Sequence, residues 1–167
     1  MRLAGRVAIV TGGARHIGAA YCRRLAEEDA SVVIADILDG AAVADEIKAK
    51  GGKAMALNID VSKEEDTNRM AAEAVKAFGR IDILVNNAAI FINIQRHPFY
   101  EISAEEWDRV SAVNIKGPFL CAKAVFPQMK EQKSGKIINI SSSSPHENAR
   151  CFAPPDCVKT LMVFRAW

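Results

Sequence analysis

The segment from Thr11 to Gly18, Thr-Gly-Gly-Ala-Arg-His-Ile-Gly, contains residues whose types and spacing suit phosphate binding. It directly follows the apolar run Val7–Val10 and opens a stretch of helical periodicity. A strand, a glycine turn and a helix N-terminus in this order present backbone N–H groups to a pyrophosphate. The segment therefore predicts a dinucleotide site formed by Gly12, Arg15, His16, Ile17 and Gly18.

His16 stands where this glycine pattern normally has its middle glycine. Gly12 and Gly18 let the chain turn tightly and bring the first helix close to the strand. A side chain at the middle position crowds the pyrophosphate, because the backbone must approach the ligand closely there. We therefore expect His16 to weaken cofactor affinity.

Asp36 follows the second predicted strand, Ser31–Ala35. A carboxylate at this place accepts hydrogen bonds from the adenosine ribose hydroxyls and repels a 2′-phosphate. Asp36 therefore favours NAD over NADP, although the basic Arg15 argues for the phosphate. The alternative interpretation of Asp36 is a solvated acid at a strand end.

The elements that must position these residues alternate between strands and helices, which predicts an α/β fold. Successive right-handed crossovers give a Rossmann-like doubly wound parallel sheet with helices on both faces. Ser62 with Glu65, and Ser103 with Glu106, form capping boxes that begin helices. Pro118 must fall in a first helical turn. The predicted strands are 7–10, 31–35, 54–59, 81–85 and 136–140, and the predicted helices include 17–28, 41–50, 62–78 and 114–130.

Length and composition fit one globular domain of 167 residues. The net charge of +2 is too small to indicate nucleic acid or a membrane surface as a partner. The chain has no apolar run that spans a bilayer and no signal-peptide pattern, so we expect a cytoplasmic protein. The cysteines show no zinc spacing, so we expect free thiols and no metal site. They are Cys22, Cys121, Cys151 and Cys157.

Further motifs follow the third, fourth and fifth predicted strands and precede the long helix. They are Asp60-Val61, Asn86-Asn87-Ala88-Ala89, Ile140-Ser141-Ser142 and Val113-Asn114-Ile115. Together with the glycine turn, they resemble the classical type of the short-chain dehydrogenase/reductase family, up to about Ser144. The resemblance implies an oxidoreductase that transfers hydride between NAD(H) and a small-molecule alcohol or ketone.

The resemblance also implies cofactor contacts beyond the glycine turn. Residues that match Asp60 and Val61 meet the adenine in this family. Residues that match Asn86 and Ala88 line the cofactor path and brace the central sheet, and we include Asn87 with Ala88 among the cofactor-binding residues.

On the catalytic side, the resemblance implies that Ser142 holds the substrate oxygen, with Ser141 or Ser143 as alternative alignments. Lys159 would hold the nicotinamide ribose and lower the pKa of a tyrosine, and Asn114 would position a water in the proton relay. The position of that tyrosine, four residues before the lysine, is occupied by Pro155. Proline has no ionisable group, so the expected proton donor is missing. His146 and Asp156 are candidate substitutes, although the favoured interpretation of both is a solvated loop residue.

Three hypotheses remain. The first is an NAD(H)-dependent oxidoreductase on a single NAD(P)-binding domain, residues 1–167, which is incomplete after about residue 144 and lacks the C-terminal strands. The second is a catalytically inactive nucleotide-binding protein without the tyrosine. The third is a structural subunit that pairs through an exposed sheet edge. The loop Phe91–Tyr100 mixes apolar and basic residues and identifies no substrate, and homo-oligomer formation is left open.

Overall fold

The computed structural model describes residues 1–91 and 98–141. Strands and helices alternate through the first part of this range, as the sequence predicts. A short 3-10 turn, Phe99–Glu101, and a π-helical turn, Ala112–Lys116, flank the fourth helix. The strands are β1 (Val7–Thr11), β2 (Ser31–Asp36), β3 (Lys53–Asn58), β4 (Ile83–Asn86) and β5 (Lys136–Asn139). The helices are α1 (His16–Glu27), α2 (Ala41–Ala49), α3 (Glu64–Phe78), α4 (Ala104–Ser111) and α5 (Gly117–Glu131).

The strands form one parallel sheet in the order β3-β2-β1-β4-β5. The chain starts in the middle of the sheet, adds strands outward to β3, and then crosses to the other side of β1. The winding direction therefore reverses between β1 and β4, which confirms the predicted doubly wound arrangement. At such a reversal the carboxyl ends of the two strands border a crevice, where α/β proteins bind their ligands.

Helices cover both faces of the sheet, and the alternation of β1 shows how the core is divided. Val7 and Ile9 pack toward α3 and α5, while Ala8 and Val10 pack toward α1 and α2. All four side chains are at most 2% exposed. The residues of β1 from Val7 to Val10 are all apolar because the strand is buried on both faces.

The predicted single helix 114–130 is wrong at its start. Asn114 lies in the π-helical turn, where the N–H of Gly117 donates to the carbonyl of Ala112, five residues back. Pro118 has no N–H for the carbonyl of Asn114, so a regular α-helical ladder cannot run through this point. Pro118 itself lies in the first turn of α5, as predicted.

The two predicted capping boxes have different outcomes. Ser103 precedes α4, and its hydroxyl accepts a hydrogen bond from the N–H of Glu106 at 3.1 Å, as predicted. Ser62 does not cap α3, because its N–H and hydroxyl both donate to Asp60 Oδ1, at 3.0 and 2.6 Å. Lys63 takes the cap position without a side-chain hydrogen bond.

The strand ends differ from the predictions by one or two residues. β4 begins at Ile83 instead of Ile81, since the N–H of Ile81 donates to the side chain of Gln132 at 3.1 Å. β5 is an outer strand of the described sheet, and Ile138 on it is 45% exposed. In the described ranges we find no helix with the length and hydrophobicity needed to span a bilayer.

Candidate functional site

The β1–α1 turn lies at the reversal point, directly against the loop that follows β4. Gly12 has a φ of +65°, and a Cβ atom there would lie 2.9 Å from the Cα of Ala88. A Cβ atom at Gly18 would collide with the carbonyl oxygen of Gly12 and lie 2.7 Å from Nδ2 of Asn87. Both positions therefore require glycine, because the turn, α1 and the β4 loop meet without room for a side chain.

Thr11 and Asn87 hold this contact together through four hydrogen bonds. Oγ1 of Thr11 accepts from the N–H groups of Asn87 and Ala88, at 3.1 and 3.0 Å. In return, Nδ2 of Asn87 donates to the carbonyls of Thr11 and Gly12, at 3.0 and 3.1 Å. Asn87 thus supports the backbone of the glycine turn. The supporting role of Thr11 is missing from the sequence predictions, although a polar residue at the end of a buried strand is a usable signal.

Asp36 is a buried brace of the same turn, only 9% exposed. Its Oδ2 accepts from the N–H of Ala14 and its Oδ1 from the N–H of Leu38, both at 3.0 Å. The alternative of a solvated strand-end acid is therefore wrong. Because β1 and β2 are neighbours in register, the carboxylate of Asp36 ends up beside the turn that follows β1.

The start of α1 is the exposed part of the turn. Arg15, His16 and Ile17 are all exposed, with Ile17 at 62%. The first helical hydrogen bond runs from the N–H of Ala19 to the carbonyl of Arg15, at 3.2 Å. The N–H groups of His16, Ile17 and Gly18 precede that ladder, as do the first N–H groups of any helix. No acidic residue lies in the first turn of α1, so the positive end of its dipole is uncompensated by its own side chains.

His16 has a φ of +50°, which places it in the left-handed region. Histidine enters this region more readily than most non-glycine residues, at a cost of about 1 kcal/mol. The backbone of the motif thus keeps the conformation that a glycine would adopt. Asp29, two residues after the end of α1, has the same kind of conformation with a φ of +71°.

Asp60 and Val61 follow β3 at the same edge of the sheet. Partial burial acts to raise the pKa of Asp60, but hydrogen bonds from Ser62 and the ammonium of Lys63, 3.6 Å away, lower it overall. The N–H of Asp60 donates to Oδ2 of Asp66 at 2.8 Å. Val61 is 5% exposed and packs against Gly117, where a Cβ atom would lie 2.9 Å from its Cγ2.

Asn114 reaches from the π-helical turn to the loop after β4. Its Oδ1 accepts from the N–H of Ile90 at 2.8 Å, and its Nδ2 donates to the carbonyl of Ile90 at 3.1 Å. Asn114 is 8% exposed, so these bonds satisfy a buried amide. Nearby, Nδ2 of Asn86 donates to Oδ1 of Asn139 at 2.9 Å and links β4 to β5.

The described part of the site thus gathers the predicted cofactor-side residues along one edge of the sheet. Ser142, Pro155 and Lys159 lie outside the described residues. Of the cysteines, Cys22 and Cys121 are buried free thiols whose pKa burial raises to about 12. Across residues 1–91 and 98–141, we find no group of three histidine, cysteine or acidic side chains arranged to hold a metal ion.

Comparisons with known proteins identify relatives of this chain by sequence and by overall structure. The family model of short chain dehydrogenases matches residues 6–154. A 2,5-dichloro-2,5-cyclohexadiene-1,4-diol dehydrogenase, LinX, from Sphingobium indicum is 45% identical over 145 residues, covering 84% of this chain and 56% of that protein. The 3-oxoacyl-[acyl-carrier-protein] reductase FabG from Staphylococcus epidermidis is 42% identical over 138 residues, covering 81% and 55%.

Among solved structures, a metagenomic short-chain oxidoreductase in complex with NADP superposes with a TM-score of 0.84 at 37% sequence identity. The match covers 95% of this chain and 72% of that chain. The chain spans about half the length of the curated relatives it matches, 56% of one and 55% of the other.

Proposed function

The chain belongs to the short-chain dehydrogenase family, and from this premise we propose that it binds NAD(H) at the carboxyl ends of β1, β2 and β4. The observation that carries the proposal is the β1–α1 turn. Gly12 and Gly18 bring the turn into close contact with the loop after β4. The first N–H groups of α1 precede the first helical hydrogen bond, which Ala19 donates to Arg15. Such a helix start, with no acid in its first turn, suits a pyrophosphate.

Two features support NAD as the preferred dinucleotide. The carboxylate of Asp36 ends β2 beside the turn, where it would meet the adenosine ribose and repel a 2′-phosphate. The next residues, Ile37 and Leu38, are apolar and exposed, so positions 37 and 38 supply no cation for that phosphate. Arg15 is the opposing feature, since it is basic and exposed on the turn.

For the reaction, we propose hydride transfer between the nicotinamide and a small-molecule alcohol or ketone. The bound cofactor supplies the hydride chemistry. The chain must hold the substrate oxygen and handle its proton, and family resemblance assigns these tasks to Ser142, Lys159 and Asn114. The contact of Asn114 with Ile90 supports a positioning task, because it fixes Ile90 in the segment that follows β4.

A second candidate function is nucleotide binding without turnover. It rests on Pro155, which stands where the family has its tyrosine proton donor. The two candidates predict the same cofactor binding and differ only in catalysis. NADH formation from a panel of secondary alcohols separates them: turnover supports the oxidoreductase, and saturable NAD binding without turnover supports the inactive protein.

Calorimetric titration with NAD and NADP tests the cofactor assignment. We expect the wild-type chain to bind NAD at least about tenfold more tightly than NADP, a difference of about 1.4 kcal/mol in binding free energy. Asp36→Ala and Asp36→Asn should narrow this ratio. Asp39→Asn is the control, because it removes a neighbouring carboxylate that accepts from the N–H of Ala41.

The ratio of affinities is the decisive quantity, because Asp36 also braces the turn through Ala14. If the Asp36 variants weaken the binding of NAD and of NADP by the same factor, Asp36 only supports the turn and its assignment to the ribose is wrong. If the wild-type chain binds neither dinucleotide at millimolar concentration, the proposed function fails and the structural-subunit hypothesis gains support.

A further inference from the structure

We propose that His16 makes dinucleotide affinity depend on pH, because its protonated imidazole pairs with the pyrophosphate and strengthens binding in mildly acidic solution. The inference rests on the proposed function, since it concerns the same turn. It goes beyond that function by assigning to one residue of this chain a proton-linked control of affinity.

The position of His16 carries the first step of the argument. His16 is the first residue of α1 and has a φ of +50°, so the chain adopts a glycine-like conformation there while carrying a side chain. That position is the one at which the backbone of a glycine-rich turn approaches a pyrophosphate. A side chain attached there would lie beside the phosphate oxygens of a bound dinucleotide.

The availability of the imidazole carries the second step. His16 is exposed, and its imidazole makes no hydrogen bond or ion pair with another residue within 1–91 and 98–141. It is also the only histidine in those ranges. The positive end of a helix dipole disfavours a protonated imidazole, whereas a bound anion favours it.

The other charged groups of this region do not compete for that role. Asp36 uses both oxygens on the N–H groups of Ala14 and Leu38, and Asp39 accepts from the N–H of Ala41. Arg15 is exposed beside His16. Guanidinium and ordinary carboxylate groups keep their charge between about pH 5.5 and 8.5, whereas an imidazole changes its charge within this range.

Two effects of the His16 side chain then oppose each other. A neutral imidazole only crowds the pyrophosphate and weakens binding. A protonated imidazole also adds a positive charge next to two phosphate groups. An anion that favours the protonated imidazole raises the pH at which that imidazole loses its proton. The added affinity is therefore present at low pH, and it is lost as the pH rises through the midpoint of the NAD-bound state. We expect a gain of about three- to tenfold, equal to a midpoint shift of about 0.5 to 1 pH unit.

The test is calorimetric titration of the full chain with NAD from about pH 5.5 to 8.5. We expect wild-type affinity to fall about three- to tenfold across this range, and the affinity of His16→Asn to stay level. Asparagine is the matched variant, because it also tolerates positive φ and stays uncharged. Arg15→Ala is the control on the same turn, and it should lower NAD affinity by the same factor at every pH.

Parallel pH profiles for the wild-type chain and His16→Asn would overturn the inference while leaving the proposed function intact. Absence of NAD binding by every variant at every pH would instead overturn the proposed function. A second measurement follows the imidazole resonance that disappears in His16→Asn. Its titration midpoint should move upward when NAD is added, and an unchanged or lowered midpoint contradicts the inference.

Discussion

The two ends of the parallel sheet are closed by different chemistry. At the amino end, the carboxylate of Asp82 is 4% exposed and links the start of β1 to the start of β4. It accepts from the N–H of Val7 at 3.0 Å, from Nη1 of Arg6 at 2.6 Å, and from Nε and Nη2 of Arg80 at 2.7 and 2.6 Å. The carbonyl of Asp82 also accepts from the N–H of Lys136, which brings in β5.

At the carboxyl end, uncharged groups join the same strands. Thr11 and Asn87 tie β1 to the loop after β4, and Asn86 bonds to Asn139 between β4 and β5. Their hydroxyl and amide groups carry no net charge. Arg15 and His16, at the start of α1, are exposed.

The difference between the ends separates groups that hold the strands together from N–H groups that are available to an anion. At the amino end, Asp82 pairs with both Arg6 and Arg80 and holds the starts of the strands together, so this end mainly stabilises the fold. The carboxyl end is held together without using up the N–H groups at the start of α1, which remain available for a phosphate. Under the proposed function, groups at both ends stabilise the fold, but only the carboxyl end would also bind the cofactor.

The largest expected effect comes from removing the charge that closes the amino end. Asp82→Ala leaves Arg6, Arg80 and the N–H of Val7 without their acceptor, and we expect a loss of about 3 kcal/mol in the free energy of unfolding. The arginines are 45% and 40% exposed, so solvent compensates part of the cost. Urea unfolding measures the change. The exposed pair Asp45–Lys48 provides the control, since Asp45→Ala should change stability by less than about 0.5 kcal/mol.

The effect of Asp82 should also depend on pH. Burial acts to raise the pKa of Asp82, but hydrogen bonds from Arg80, Arg6 and Val7 outweigh it and hold the pKa below its usual value. A lowered folded-state pKa adds stability above the unfolded value of about 3.9, and that stability is lost as the pH falls through the folded value. The stability difference between wild type and Asp82→Ala should therefore shrink below about pH 4.

The corresponding change at the carboxyl end is Thr11→Val, which keeps the shape but removes the acceptor for two N–H groups. We expect a loss of about 2 kcal/mol in stability, because the donors of Asn87 and Ala88 are left without a partner. Thr11→Ser keeps the hydroxyl and should lose less. Unlike Asp82→Ala, Thr11→Val should also weaken the binding of NAD, as measured by calorimetric titration. Equal NAD affinity in the two variants would contradict the division between the ends.

The sequence predicts the carboxyl end better than the amino end, for a physical reason. The glycine turn and Asp36 belong to local patterns in which a strand, a turn and a helix follow one another. The ion pair between Arg6 and Asp82 joins residues 76 positions apart, and no local spacing indicates it. Register and topology must be known before that contact can be recognised.

Two local predictions fail because another local interaction is stronger. Ser62 matches a capping box with Glu65, but Asp60 lies two residues before it and accepts both of its donors. The helix predicted from Asn114 changes to a π-helical turn because Pro118 interrupts the ladder. The sequence contains both competitors, but propensity alone does not rank them. The roles of Ser142 and Lys159 stay predictions.

Asn114 provides a smaller test of how the carboxyl end is organised. Asn114→Ala removes both hydrogen bonds to Ile90, and we expect a stability loss of about 1 kcal/mol with faster hydrogen exchange at the Ile90 amide. Asn114→Asp keeps the acceptor for the N–H and should show intermediate exchange. If Ile90 exchanges at the wild-type rate in Asn114→Ala, the loop is held by other contacts.

The smallest expected effect compares two residues at opposite ends of α1. His16 and Asp29 both have positive φ, at +50° and +71°, and glycine relieves the steric cost at each. Because glycine also gains entropy in the unfolded chain, each substitution should stabilise the fold by only about 0.5 kcal/mol. At pH 8, His16→Gly should also bind NAD more tightly, since it removes the crowding side chain, whereas Asp29→Gly should leave affinity unchanged. Thermal unfolding with and without NAD measures both quantities. An equal change in affinity for both variants would mean that relief of backbone strain, and not the space beside the pyrophosphate, sets cofactor affinity.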